Sequence, residues 1–72
     1  GLNPQADVQA VDIRHKDNTT TFMLIRGNKE LGAITLQVPG KHNVQNSLGA
    51  IAVGLELGVP FEKIKSGIEK FA

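Results

Sequence analysis

The sequence predicts an α+β fold, a three-stranded antiparallel meander followed by two packed helices. Three observations carry that expectation. Up to Pro39-Gly40, β-branched residues cluster between short turn-forming stretches. Beyond Gly40, apolar residues recur at helical spacing. A Gly58-Val59-Pro60 break then divides the helical part in two.

The first strand runs from Val8 to His15. Val8 and Ala10 share one phase and Val11 and Ile13 the other, which suits either a bulge or a strand covered on both faces. Lys16-Asp17-Asn18 forms the first turn. Thr19 to Arg26 is the second strand, with Phe22-Met23-Leu24-Ile25 supplying apolar groups to both faces. Gly27-Asn28-Lys29-Glu30 reads as the second turn. Leu31 to Val38 is the third strand, with Ile34, Leu36 and Val38 on one face and Ala33, Thr35 and Gln37 on the other. Connections this short imply antiparallel neighbours. Proline cannot donate to a ladder, so Pro39-Gly40 ends the strand region, which occupies about residues 7–38.

The first helix is expected over about residues 43–57, with Asn43 as its N-cap. Val44, Leu48, Ile51, Ala52 and Leu55 make its apolar stripe. Gly49 and Gly54 each lower helix propensity by about 1 kcal/mol relative to alanine. Gly58 fits the left-handed position that closes many helices. The second helix covers about residues 60–71, because Pro60 can start a helix without losing a needed donor. Phe61, Ile64, Ile68 and Phe71 share its inner face, while Glu62 and Lys70 suit the helix dipole. The resulting core is thin. The last two residues, Phe71-Ala72, directly follow apolar helix positions, so the expectation is an excerpt of a larger domain.

Composition excludes several classes of function. The 72 residues are 40% hydrophobic and 21% charged with a net charge of +1, a poor basis for attracting nucleic acid or an anionic membrane. There is no cysteine, hence no disulfide framework and no thiolate chemistry. The mostly apolar stretch from Leu48 to Val59 is too short to span a bilayer and carries Glu56. Gly1-Leu2 is followed by Asn3-Pro4-Gln5 and no apolar run, so no signal peptide is expected, and a cytoplasmic setting is favoured.

The inventory of reactive groups is short. His15 sits at a strand end and reads as an exposed residue; neither it nor His42 has a second metal ligand at a useful helical spacing. Ser47 and Ser66 lie in helices with no neighbouring base. The seven carboxylates are scattered, with Glu62 and Glu69 on similar sides of one helix. Pro39-Gly40-Lys41 is no phosphate loop: Thr35 stands where the first glycine belongs and His42 follows the lysine. No catalytic residue and no metal ligand are assigned. What remains is Lys41-His42-Asn43-Val44-Gln45-Asn46, which places a cation, an imidazole and two carboxamides at a strand-to-helix junction. Asn43 and Asn46 are three apart and project near one another, and a carboxamide offers the donor and acceptor that an adenine edge requires. The plainer reading of the same residues is a capping Asn43, a solvated Asn46 and a loop-filling His42.

The stretch from Pro39 to Val53, with its Gly-x-His-Asn-x-x-Asn junction leading into a helix rich in small residues, resembles the Mur ligase family. Ala6 to Ala10, Gly32 to Val38, and Glu56 to Phe71 resemble the flanking parts of that family's central domain. The likeness thus covers nearly the whole chain. It implies a fragment of a larger α/β ATP-binding domain, residues 1–72 forming part of the central domain. It also implies a cytoplasmic bacterial enzyme of peptidoglycan precursor synthesis. Such a ligase uses ATP and magnesium to activate the carboxylate of UDP-N-acetylmuramate as an acyl phosphate, which the amine of L-alanine then attacks. By position, Asn46 would bond the adenine edge, His42 would lie near the base, and Asn43 would hold the turn or assist. Lys41 stands where arginine is common in the family, and Ser47 and Gly49 replace residues that are often alanine. The family's phosphate loop, magnesium ligands and C-terminal domain have no match in these 72 residues. The piece is therefore expected to be inactive alone, to bind no nucleotide tightly, and to depend on the remainder of the ligase chain.

Two other readings compete. The first is a winged helix-turn-helix-like nucleic-acid module, suggested by the hinge-like stretch from Ala52 to Pro60. It is opposed by Pro60, Phe61 and Glu62 at the start of its would-be recognition helix. The second is a free-standing oligomerising domain whose thin core a second copy completes.

Overall fold

The computed structural model describes residues 8–38 and 40–71, with the backbone alone at Lys41, His42 and Phe71. Two-residue turns set the sheet. Strand β1 (Val8–Lys16) is joined to β2 (Thr19–Arg26) through Asp17-Asn18, and β2 to β3 (Lys29–Leu36) through Gly27-Asn28. The first residue of each turn has positive φ, 55° at Asp17 and 64° at Gly27, the tight reversal that two-residue hairpins need. Sheet order is β1-β2-β3, all antiparallel, as the short connections imply.

Both outer strands carry an irregularity. In β1 the register slips between Val11 and Arg14, and Asp12 adopts φ 53°. This bulge explains the two phases of the strand: Val8 and Ala10 face the core, whereas Val11 and Ile13 are exposed. The alternative of a strand covered on both faces is excluded. In β3 the slip falls opposite Leu24 and Ile25, so Leu31 is the extra residue. β3 accordingly starts at Lys29. Lys29 and Glu30 pair with Arg26 and Ile25 and do not belong to the turn.

Helix α1 (Lys41–Glu56) and helix α2 (Phe61–Phe71) cover one face of the sheet, α1 against β1 and α2 against β3. Phe22, Leu24, Ile34 and Leu36 from the strands meet Val44, Ile51, Ala52 and Ile64 from the helices in one buried cluster. Leu48, Leu55, Phe61 and Ile68 extend it, so the expected stripe of α1 packs, as does that of α2 at Phe61, Ile64 and Ile68; the Phe71 side chain, also expected there, lies outside the described residues. The turn between the helices satisfies the last carbonyls of α1: Gly58 N–H donates to Leu55 O and Val59 N–H to Gly54 O, both at 3.0 Å. With Gly58 at φ 84° this is a Schellman closure. Pro60 is the cap of α2, its carbonyl accepting from Lys63 and Ile64.

Candidate functional site

The junction from β3 into α1 is built by a chain that leaves the sheet and turns sharply. Ladder pairing ends at Thr20 with Leu36. Val38 follows, and its carbonyl accepts a hydrogen bond from the Thr20 hydroxyl at 3.1 Å. Gly40 then takes φ 112° and ψ 139°, a conformation that a side chain resists, and occupies the cap position of α1. The helix therefore begins at Lys41, two residues before the expected start. Asn43 is not the N-cap; no side chain caps this helix. It sits in the first turn, half-buried, and a Cβ placed on Gly40 would stand 3.6 Å from its Nδ2.

Burial fixes the roll of the helix. Val44 and Ser47 are buried, and Ile51 and Ala52 continue the same side. Asn46 consequently faces solvent, and Asn43 lies beside it three residues earlier. The sequence thus brings Asn43 and Asn46 to one accessible surface. The side chain of His42 lies outside the described part of the structure; its backbone belongs to the same first turn. First-turn N–H groups have no intrahelical acceptor, and α1 has no acidic residue there. The surface therefore offers carboxamide donors and acceptors next to polar backbone, suited to a heteroaromatic edge.

Other chemistry is absent from the described residues. No three His, Cys, Asp or Glu side chains cluster so as to hold a metal ion. No helix is long and apolar enough to cross a membrane. A shallow open groove of about 350 Å³ is lined by Glu62, Lys65, Ser66, Glu69 and Lys70 of α2 and includes no residue of the junction.

Sequence reasoning missed Thr20 and its bond to the ring of His15. Thr20 is wholly buried, and its hydroxyl meets His15 Nδ1 at 3.1 Å as well as Val38. His15 is exposed as expected, but its ring is engaged. The available signal was phase: Thr20 alternates with Phe22 and Leu24, which places a hydroxyl among core positions.

Comparison with known proteins gives the family of the chain. A family model described as the Mur ligase middle domain matches residues 1–54. A UDP-N-acetylmuramate–L-alanine ligase from Desulfatibacillum aliphaticivorans is 53% identical over 72 residues, all of this chain and 16% of that protein. The enzyme of the same name from Geotalea uraniireducens (strain Rf4) is 46% identical over 71 residues, 99% of this chain and 16% of that protein. Among solved structures, MurF from Acinetobacter baumannii superposes with a TM-score of 0.77 at 36% identity, over 88% of this chain and 14% of that one. The chain thus spans about 16% of the length of the relatives it matches.

Proposed function

The chain belongs to the Mur ligase family, through that family's middle domain, and from this premise we propose that it is a segment of an ATP-dependent ligase that joins L-alanine to UDP-N-acetylmuramate in bacterial peptidoglycan synthesis. One observation carries the reading: 53% identity along the full 72 residues to a protein bearing that name. The likeness to ligases in both sequence and fold leaves the nucleic-acid alternative without support.

Within the parent enzyme this segment contributes the adenine side of the ATP pocket. Asn46 bonds the base edge from the solvent-facing side of α1, Asn43 assists and holds the turn against Gly40, and His42 lies near the base. Support comes from the chemistry of the donor set: two carboxamides on one accessible surface present donors and acceptors together. In such a ligase ATP supplies the phosphoryl group that activates the muramate carboxylate. No magnesium ligand is assigned to the described residues, among which no three His, Cys, Asp or Glu side chains cluster. That ion and the phosphate contacts belong to the remainder of the ligase chain, and the 72 residues alone are inactive. A cytoplasmic setting follows from the substrates.

The test is kinetic. In the full-length ligase, Asn46→Ala raises KM for ATP about tenfold, the value of one good two-point base contact, and leaves KM for L-alanine near wild type. ATP titrated into the isolated 72 residues and followed by NMR gives weak binding with shifts centred on residues 42–46. An unchanged KM for ATP in Asn46→Ala, together with shifts elsewhere, rejects the assignment.

A further inference from the structure

We propose that Thr20, oriented by His15, is a positioning residue for nucleotide binding: its hydroxyl holds the Val38 carbonyl and so sets where the Gly40–Asn46 junction stands relative to the sheet. This rests on the adenine reading above.

Thr20 is fully buried on the inner face of β2, in line with Phe22 and Leu24. A valine would fill the same space, and a buried hydroxyl is unfavourable unless it is bonded. Here it has two partners, Val38 O and His15 Nδ1, each at 3.1 Å. The roles can be assigned. A carbonyl only accepts, so the single hydrogen of the hydroxyl goes to Val38. His15 must then carry its hydrogen on Nδ1 and donate to Thr20 Oγ1. A directed chain of bonds thus runs from β1 through β2 to the segment leaving β3.

That segment needs an anchor. Val38 lies beyond the last ladder pair, so no strand partner holds its carbonyl in register. Two residues later Gly40, at φ 112°, is the most permissive point of the connection. On the far side, Val44 and Ser47 lock α1 by burial. The junction is therefore pinned at one end by packing and at the other by the Thr20 hydroxyl, with a glycine between. Removing the hydroxyl takes away the bond that holds the Val38 carbonyl. Small displacements of a binding constellation weaken it out of proportion to their size.

The experiment measures kcat, KM for ATP, KM for L-alanine and the thermal midpoint in the full-length ligase, for wild type, Thr20→Val, Thr20→Ser, His15→Phe and Asn46→Ala. Thr20→Val raises KM for ATP about fivefold, the equivalent of one hydrogen bond, while kcat and KM for L-alanine stay within about twofold. Thr20→Ser keeps the hydroxyl and keeps the wild-type KM for ATP. If Asn46→Ala leaves KM for ATP unchanged, the adenine reading fails and takes this role with it. If Asn46→Ala raises it but Thr20→Val does not, or Thr20→Ser fails to restore it, the positioning role alone is overturned. A general loss, with both KM values rising together, also overturns it. Should Thr20→Val not fold, His15→Phe probes the same chain from its exposed end: a rise of about twofold in KM for ATP supports the role, and no change rejects it.

Discussion

The Glu69 carboxylate accepts the backbone N–H of Thr35 at 2.9 Å, so a helix side chain completes the outer edge of β3. One helical turn earlier Lys65 Nζ donates to Ala33 O at 2.9 Å, and the two side chains pair with each other at 3.8 Å. The spacing makes this possible. Four residues along a helix and two along a strand both cover about 6–7 Å, so an i, i+4 pair can serve alternate residues of an edge strand. A free strand edge invites pairing with other chains; here α2 occupies it.

Removing that acceptor has a predictable cost. Glu69→Ala leaves a partly buried N–H without its partner and destabilises the chain by about 1–2 kcal/mol. Glu69→Gln retains an acceptor oxygen and loses less than half of that. Urea unfolding of the three proteins decides the matter; equal losses in both variants would mean that charge, and not the bond to Thr35, is what counts.

Gly32 and Phe61 form a second fixed pair. A Cβ built on Gly32 would stand 2.8 Å from Phe61 Cε2, and the residue's φ is 152°. Gly32→Ala therefore displaces the ring that closes the α2 end of the core, at a cost of about 1–3 kcal/mol. Combining it with Phe61→Leu removes most of the steric part. A double-mutant cycle by thermal denaturation should give a coupling of about 1 kcal/mol or more; simple additivity would show that the ring moves aside freely.

Much of this framework was legible because it rests on period. The alternation Phe22, Leu24 and the stripe Val44, Leu48, Ile51, Leu55 follow directly from strand and helix geometry. What escaped depended on turns and on distant neighbours. Lys29-Glu30 is polar and reads as turn, yet the hairpin needs only Gly27-Asn28, and the two residues pair with β2. Asn43 has the chemistry of an N-cap, but Gly40 at φ 112° lets the helix begin earlier. The residue types of the candidate site could be read directly. The bond from Thr20 to Val38 could not, since it joins positions 18 apart and depends on register.

Asp12 offers a stabilising change. It holds φ 53° in the β1 bulge, a conformation that costs a side chain about 1 kcal/mol. Its contact with Arg14, Nε to Oδ1 at 3.2 Å, is exposed on both sides and contributes little. Asp12→Gly should thus raise stability by about 0.5 kcal/mol, the relief of strain being partly offset by the greater freedom of glycine in the unfolded chain. A fall in the urea midpoint would show that the Arg14 contact outweighs the backbone term.

Two glycines at the end of α1 separate backbone from packing effects. Nothing lies within 4 Å of a Cβ on Gly58, so Gly58→Ala meets no obstacle; its whole cost, about 1 kcal/mol, comes from φ 84° in the Schellman closure. Gly54 is the opposite case. It is helical, and alanine there gains about 1 kcal/mol of propensity, but its Cβ would sit 3.1 Å from Ile64 Cδ1 and 3.3 Å from Cγ1. These are the outer atoms of a flexible side chain, so the two effects nearly cancel and Gly54→Ala alone is close to neutral. Trimming the obstacle changes the balance: Gly54→Ala with Ile64→Val should be more stable than Ile64→Val alone by about 0.5–1 kcal/mol. Thermal midpoints of the four proteins test this. If the double variant gains nothing over Ile64→Val, the close approach of the helices at Gly54 is set by backbone against backbone, and Ile64 is not what limits it.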